Sequence, residues 1–303
     1  MSAIAGAPAR RRLADSPGLQ ALRELARSRS ALLGFVVLTA IVLGAVFAGV
    51  VAPQNPYDLT QLDILDGTLP PGSKAAAGFT YLLGSDPQGR DMLSAILYGL
   101  RISLVVGVGS AIIACIVGAT LGLVAAYSGP RVEAALMRLV DLQLSFPSIL
   151  VALMILAVLG KGVANVMIAL VLVEWAYYAR VARASALVER SREYIEAAEC
   201  LAVPRWRVVA RHLLPNCLPP LIVIATMQVA RAISLEATLS FLGLGVPVTE
   251  PSLGLLISNG YSHMMSGKYW ISFYPGVALL ATIMAINLVA DQLRDILNPR
   301  LKR

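Results

Sequence analysis

The sequence is poor in charge, in cysteine and in aromatic residues, and each shortage excludes a class of protein. Charged residues make up 14% of the 303 positions and hydrophobic residues 57%. Because a soluble domain carries about 25% charge, a water-soluble enzyme is excluded, and so is a disordered chain. Three cysteines, at positions 115, 200 and 217, provide neither a disulfide framework nor a Cys-x-x-Cys metal site. At 6% aromatic residues, a base-stacking platform for nucleic acid is excluded as well.

Apolar runs long enough to cross a bilayer as a helix, which takes about 20 residues, occur six times. The alternating pattern of membrane β-strands does not occur. We therefore predict an all-α integral membrane protein with six transmembrane helices. The predicted spans are 31–51, 102–126, 137–159, 163–179, 218–244 and 271–289.

Lysine and arginine are distributed unevenly between the two sides of these spans. Of the 25 basic residues, about 19 lie on the side of the two termini and about five on the other, which places both termini in the cytoplasm. The first apolar run is longer than the apolar region of a signal peptide, which has about 7–15 residues. We therefore predict that it is a retained anchor.

Four regions follow from these spans. They are a cytoplasmic tail over 1–30, a first transmembrane helix over 31–53, an extracytoplasmic loop over 54–100, and a five-helix core over 101–303. The end of the loop, 91–100, is predicted to form a short amphipathic helix near the membrane interface. In the second span, Gly118 and Gly122 are spaced for close helix packing.

The 186–216 segment lies between the fourth and fifth spans and is predicted to contain two short helices. The first covers about 193–201, and the second begins at Pro204, which suits a first helical turn. Pro215 is expected to end the second helix. Small residues flanked by charge, outside the membrane, suit docking into a groove of another protein, and a helix lying on the membrane surface is the alternative. The predicted apolar stripe of the second helix consists of Trp206, Val209, Ala210 and Leu213.

Glu196-Ala-Ala, followed by Leu-Pro at 214–215, resembles the EAA motif of ABC importer permeases. In that family the motif forms a coupling helix that sits in a cleft of a cytoplasmic ATPase. The family has Gly six residues after the Glu, and this chain has Ala202 there. The resemblance implies that the ATPase-coupling residues are Glu196, Ala197, Ala198, Ala202, Pro204, Trp206, Leu214 and Pro215.

Further stretches resemble the peptide/nickel subfamily of these permeases, at 83–104, 239–245 and 275–300. The resemblance covers about 53–300 and is to the C-type, Dpp/Opp-like permease subunit. It implies a type I importer fold, in which the last five helices form the shared core. It also implies import of dipeptides or oligopeptides, and the alternatives are nickel, opines, glutathione or another small polar solute.

The same resemblance implies partners in a bacterial inner membrane. They are a second homologous permease, two cytoplasmic ATPase subunits and an extracytoplasmic binding protein. The sequence has no Gly-x-x-x-x-Gly-Lys-Ser/Thr phosphate loop, so we expect the partner ATPases to bind ATP and Mg²⁺. No catalytic residue, cofactor or metal site is expected in this chain. An ATP-independent channel or a membrane scaffold is the alternative from a different class.

Three charged residues fall inside the predicted spans, where charge is costly and usually functional. Glu174 lies in the fourth span, and Arg231 and Glu236 lie in the fifth. Helical rise places Glu174 and Arg231 near mid-depth. One hypothesis is that these two form a pair, and the alternative is that each reaches water separately. Glu236 belongs to the family's helix-five pattern and is expected to be structural.

Overall fold

The computed structural model describes residues 28–297, and within that range the secondary structure is helical apart from two isolated β-bridges. Most arginines of the N-terminal tail, and Arg300, Lys302 and Arg303, lie outside the described residues. The α-helices are α1 (Arg29–Val46), α2 (Ala48–Val51), α3 (Met92–Tyr127), α4 (Pro130–Ser145), α5 (Ser148–Leu159), α6 (Val163–Arg190), α7 (Glu193–Cys200), α8 (Arg205–Val208), α9 (Leu214–Phe241), α10 (Leu253–Tyr261) and α11 (Trp270–Leu297). Shorter turns are 3-10 helices at Leu59–Gln61, Ile64–Asp66 and Met264–Ser266, and a π-helix at Val209–Leu213.

Five helical stretches are long and apolar enough to cross a membrane, and a sixth span is present if α4 and α5 are counted together. The all-α membrane fold is therefore confirmed. The third predicted span, 137–159, is wrong as a single helix, because α4 and α5 meet at an angle of 92°. Pro147 causes the break, since proline cannot continue a helix and forces the preceding residue into an extended conformation. Phe146 has φ −92° and ψ 143° accordingly.

Helix α3 is longer than predicted. The expected short helix over 91–100 is not separate, because no helix-breaking residue divides it from the second span. Asp91 caps the combined 36-residue helix by accepting a hydrogen bond from the backbone N–H of Ser94. The extracytoplasmic loop predicted over 54–100 therefore includes the first turns of α3. At about 54 Å, α3 exceeds the roughly 30 Å hydrocarbon thickness.

Residues 52–91 and 242–269 lie together at one end of the bundle, here called the loop end. Asp86 and Arg90 form an ion pair of 2.7 Å in which both side chains are 1% exposed. Arg90 also donates through Nη1 to the carbonyl of Val248 at 3.3 Å. The indole of Trp270 donates to the carbonyl of Ser85 at 3.2 Å. The 83–104 stretch, which resembles the peptide/nickel subfamily, therefore holds the two loops together through these contacts.

The close packing predicted for Gly118 and Gly122 is confirmed in the contact between α3 and α6. A Cβ atom at position 118 would collide with the carbonyl oxygen of Trp175, and one at position 122 would collide with that of Ala179. Ala179 and Ala182 of α6 are fully buried. Small residues on both helices therefore bring the two backbones together.

Helix α9 contains Pro215 in its first turn, so the prediction that this proline ends a helix is wrong. α8, the π-helix and α9 run without interruption from Arg205 to Phe241. The backbone N–H of Leu214 bonds to the carbonyl of Val209, five residues back. Because the hydrogen-bond ladder already changes register here, a residue without an N–H group is tolerated.

We predict that Gly118→Ala destabilises the bundle by about 1–3 kcal/mol, because the added methyl group meets backbone and the two helices must separate. Thermal unfolding of the purified chain in detergent would measure the loss. Gly276→Ala is the matched control, because a methyl group added to that glycine of α11 would meet no neighbouring atom within 4 Å. Equal unfolding temperatures for the two variants would contradict the role of Gly118.

Candidate functional site

Helix α7 carries the EAA residues and is held against the end of the bundle opposite the loop end, here called the arginine end. Ile195 and Ala198 are buried at 1% and 8% exposure. They join one hydrophobic cluster with Val208 and Leu213 and with residues of α3, α6 and α9. The helix is therefore packed onto the long helices α3, α6 and α9.

A tight turn follows α7 and contains Ala202. Its φ of 53° lies in the left-handed region, which is costly for any residue with a Cβ atom. The backbone N–H of Val203 bonds back to the carbonyl of Ala198 at 3.1 Å. Pro204 then precedes α8 at its N-cap position. The backbone of the turn therefore favours glycine at position 202, and Ala202 adopts this conformation at a cost.

One face of the 186–216 segment is apolar and exposed. Leu201 is 79% exposed and Trp206 is 67% exposed, and Glu196, Ala197 and Pro204 are exposed beside them in the sequence. The guanidinium of Arg207 lies 5.3 Å from the centroid of the Trp206 ring. Exposed apolar surface of this kind is typical of sites that interact with another protein or with a membrane.

The four residues of the predicted apolar stripe differ in burial. Trp206 and Ala210 are exposed, whereas Leu213 is buried. The π-helix widens the turn by one residue, so the buried positions shift register. The buried face of this stretch consists of Val208, Leu213, Cys217 and Leu221.

Glu236 is fully buried and links helices through serine hydroxyls. Its carboxylate accepts hydrogen bonds from Ser103 of α3 at 2.9 Å and from Ser240 of α9 at 2.8 Å. A carboxyl group within the membrane requires such partners. The geometry agrees with the structural role predicted for this residue.

Glu174 and Arg231 do not form the direct pair of the hypothesis. Within residues 28–297, Glu174 is fully buried and neither of its carboxylate oxygens has a hydrogen-bond partner. Arg231 instead donates to the hydroxyl of Ser148 at 3.2 Å and lies 4.4 Å from the ring centroid of Tyr177. No hydrogen bond or ion pair therefore joins these two side chains in the part of the chain that the structure describes.

Two cavities follow one face of α9. The first, about 350 Å³, contains Arg231 and is lined mainly by α9 and by Asn287 of α11. The second, about 1010 Å³, is lined by Pro220 and Val223 and lies toward the arginine end. Met227 lines both cavities. The lining residues of α9 therefore extend from Asn216 to Thr238, about 33 Å along the helix.

Comparison with known proteins places this architecture in a family. The family model of the binding-protein-dependent transport system inner membrane component matches residues 118–303. The model of the N-terminal transmembrane domain of oligopeptide transport permease C matches residues 16–71. The chain belongs to this family of ABC importer permeases.

Named relatives support the Dpp/Opp-like subgroup. The di/tripeptide transport system permease protein DppC of Pseudomonas aeruginosa is 37% identical, with 95% of this chain and 93% of the relative covered. The dipeptide transport system permease protein DppC of Escherichia coli K12 is 38% identical, with 91% of each covered.

A solved structure supports the type I importer fold of this permease. Inward-facing MetNI, a methionine ABC transporter, aligns with a TM-score of 0.56 at 19% identity. The alignment covers 68% of this chain and 98% of that chain. At that identity the likeness concerns the fold alone.

Sequence reasoning did not identify the residues that surround Arg231 in this permease. Ser148 follows the break at Pro147. Because the third span was predicted as one continuous helix, the sequence did not indicate that Ser148 would lie beside α9. A signal was nevertheless present, because Arg231, Ser234 and Thr238 recur at helical spacing along α9. The polar face of α9 could have been found from that periodicity.

We predict that Ala202→Val impairs the permease more than Ala202→Gly does. A β-branched residue is strained in the left-handed region, where ordinary residues already lose about 1–2 kcal/mol, whereas glycine is not. In the reconstituted importer, solute-stimulated ATP hydrolysis should fall about tenfold for valine and persist for glycine. Ala135→Val on the exposed face of α4 is the control, and equal activity of the two valine variants would contradict the prediction.

Proposed function

We propose that this permease is one of two transmembrane subunits of an ATP-driven importer for dipeptides or oligopeptides. A second homologous permease completes the pathway, and an extracytoplasmic binding protein delivers the solute. The names of the relatives support the solute class, and family membership supports the kinds of partner. The observation that carries the proposal is the exposed apolar face of the 186–216 segment, which is fixed to the transmembrane bundle.

The two ATPase subunits dock at the arginine end in this proposal. Trp206 and Leu201 supply apolar contact, and Glu196 supplies a charged contact at the edge. Because Ile195 and Ala198 are packed into the cluster shared by α3, α6 and α9, movement of a docked ATPase is transmitted to the spans. The chain itself then needs no cofactor, since ATP and Mg²⁺ bind to the partners.

The solute pathway runs along the face of α9 that lines both cavities. Arginine in the middle of a span is tolerated where it faces a water-filled cavity or the protein interior. Arg231 satisfies that condition, as do the polar neighbours Ser234 and Asn287. Met227, shared by the two cavities, is then the apolar constriction between them.

The proposed orientation places the arginine end and both termini in the cytoplasm of a bacterial inner membrane. Four arginines of the described residues lie within the first part of the 186–216 segment: Arg190, Arg192, Arg205 and Arg207. An excess of arginine in short loops favours the cytoplasmic side. The loop end then faces the compartment of the binding protein.

We predict that Trp206→Ala, and separately Glu196→Arg, reduces recovery of the ATPase subunits when the permease is purified in mild detergent. Truncating an exposed aromatic anchor at an interface costs about 2 kcal/mol or more, so recovery should fall at least about tenfold. Mass identification of the co-purified proteins gives the measurement. Recovery of the second permease should be unchanged, because neither residue lies within the spans.

Met265→Ala is the matched control, because this apolar residue is 100% exposed and lies at the loop end. Recovery of ATPases by all variants would show that the 186–216 segment is not the docking site. Recovery of the wild-type chain alone would favour a channel or a scaffold. The binding protein recovered with the complex can then be screened with peptides, nickel and other small solutes.

A further inference from the structure

Arg231 lies in a cavity beside the membrane-spanning part of α9, and this cavity is lined by both polar and apolar side chains. It lies ten residues before the end of α9 at Phe241, which is about 15 Å of helix and close to the bilayer midplane. The cavity of about 350 Å³ is also lined by Ser148, Ser234, Thr238 and Asn287. These side chains offer hydroxyl and amide groups, and none of them is acidic.

Glu174 is close enough to interact with the charge of Arg231, but no carboxylate in the described part of the chain forms an ion pair with this guanidinium. Among residues 28–297, the ion pairs within 4.0 Å do not include Arg231. Glu236 is bonded to serines, and Glu174 is fully buried and does not line the cavity. A guanidinium has five N–H donors, and one of its nitrogens bonds to Ser148. Donors therefore remain for a ligand.

Tyr177 and Ser148 hold this guanidinium in place before any ligand arrives. The ring of Tyr177 lies under it at 4.4 Å, and a cation above an aromatic face is favourably placed. Ser148 begins α5, whose N-terminus has no side-chain cap and adds a positive dipole end on the same side. A fixed planar donor fits a carboxylate in two-point contact better than a mobile ammonium does.

We propose that this cavity is a binding station for the carboxylate of the transported solute, with Arg231 as the residue that recognises it. The inference rests on the proposed function and deepens it, because it specifies that the solute carries a free carboxylate. A phospholipid headgroup offers similar charge, but headgroups lie at the membrane surface, about 15 Å from this depth. The terminal carboxylate of a short peptide reaches it along the pathway.

The test uses the assembled importer in detergent, without the binding protein, so that the selectivity of that protein does not enter. Ser234→Cys introduces an exposed thiol into the cavity, in a chain whose Cys115, Cys200 and Cys217 are replaced. A small membrane-impermeant thiol reagent then modifies it, with or without millimolar dialanine. Dialanine amide, which lacks the carboxylate, is the matched ligand control.

We expect dialanine to slow modification at least about threefold and its amide to have little effect. Arg231→Gln should abolish the protection, Arg231→Lys should retain part of it because the charge remains, and Arg131→Gln on the exposed surface of α4 should retain all of it. Equal protection by acid and amide, or full protection in Arg231→Gln, would overturn the carboxylate assignment and leave the pathway intact. Failure of the thiol to react at all would instead overturn the proposed pathway and the inference with it.

Discussion

The contact between α3 and α6 is the constraint on which the rest of the bundle depends. A hydrocarbon environment provides no hydrophobic force between helices, so close backbone approach and van der Waals contact must hold them together. Gly118 and Gly122 allow that approach, because a methyl group at either position would collide with a carbonyl of α6. With these two helices fixed, the arginine end has a rigid surface on which α7 can pack.

The 186–216 segment packs one side against that surface and leaves its other side exposed. Its inner side, with Ile195 and Ala198, belongs to the same hydrophobic cluster as the long helices. Its outer side, with Leu201 and Trp206, is apolar and exposed. The left-handed turn at Ala202 and the π-helix after Val208 set the angle between α7 and α9. Backbone geometry therefore decides which face is available to a partner.

The three charged residues within the spans are accommodated in different ways, although charge in a bilayer is costly for each of them. Glu236 is satisfied by serine hydroxyls inside the bundle, and Arg231 by a polar cavity, a serine and an aromatic ring. Glu174 has neither kind of partner in this conformation. Glu236 is thus enclosed by its hydrogen-bond partners, whereas Arg231 lines a cavity.

Sequence alone determined the membrane class, the approximate spans and the packing role of Gly118 and Gly122, because these depend on local hydrophobicity and residue size. The EAA motif was located by its resemblance to the permease family. The break at Pro147 and the passage of the helix through Pro215 follow from local backbone geometry, which the pattern of apolar residues does not show. Only the tertiary structure decided the environment of Arg231, because it depends on contacts between residues far apart in the chain. Ser148 lies 83 positions from Arg231, and no local pattern encodes their meeting.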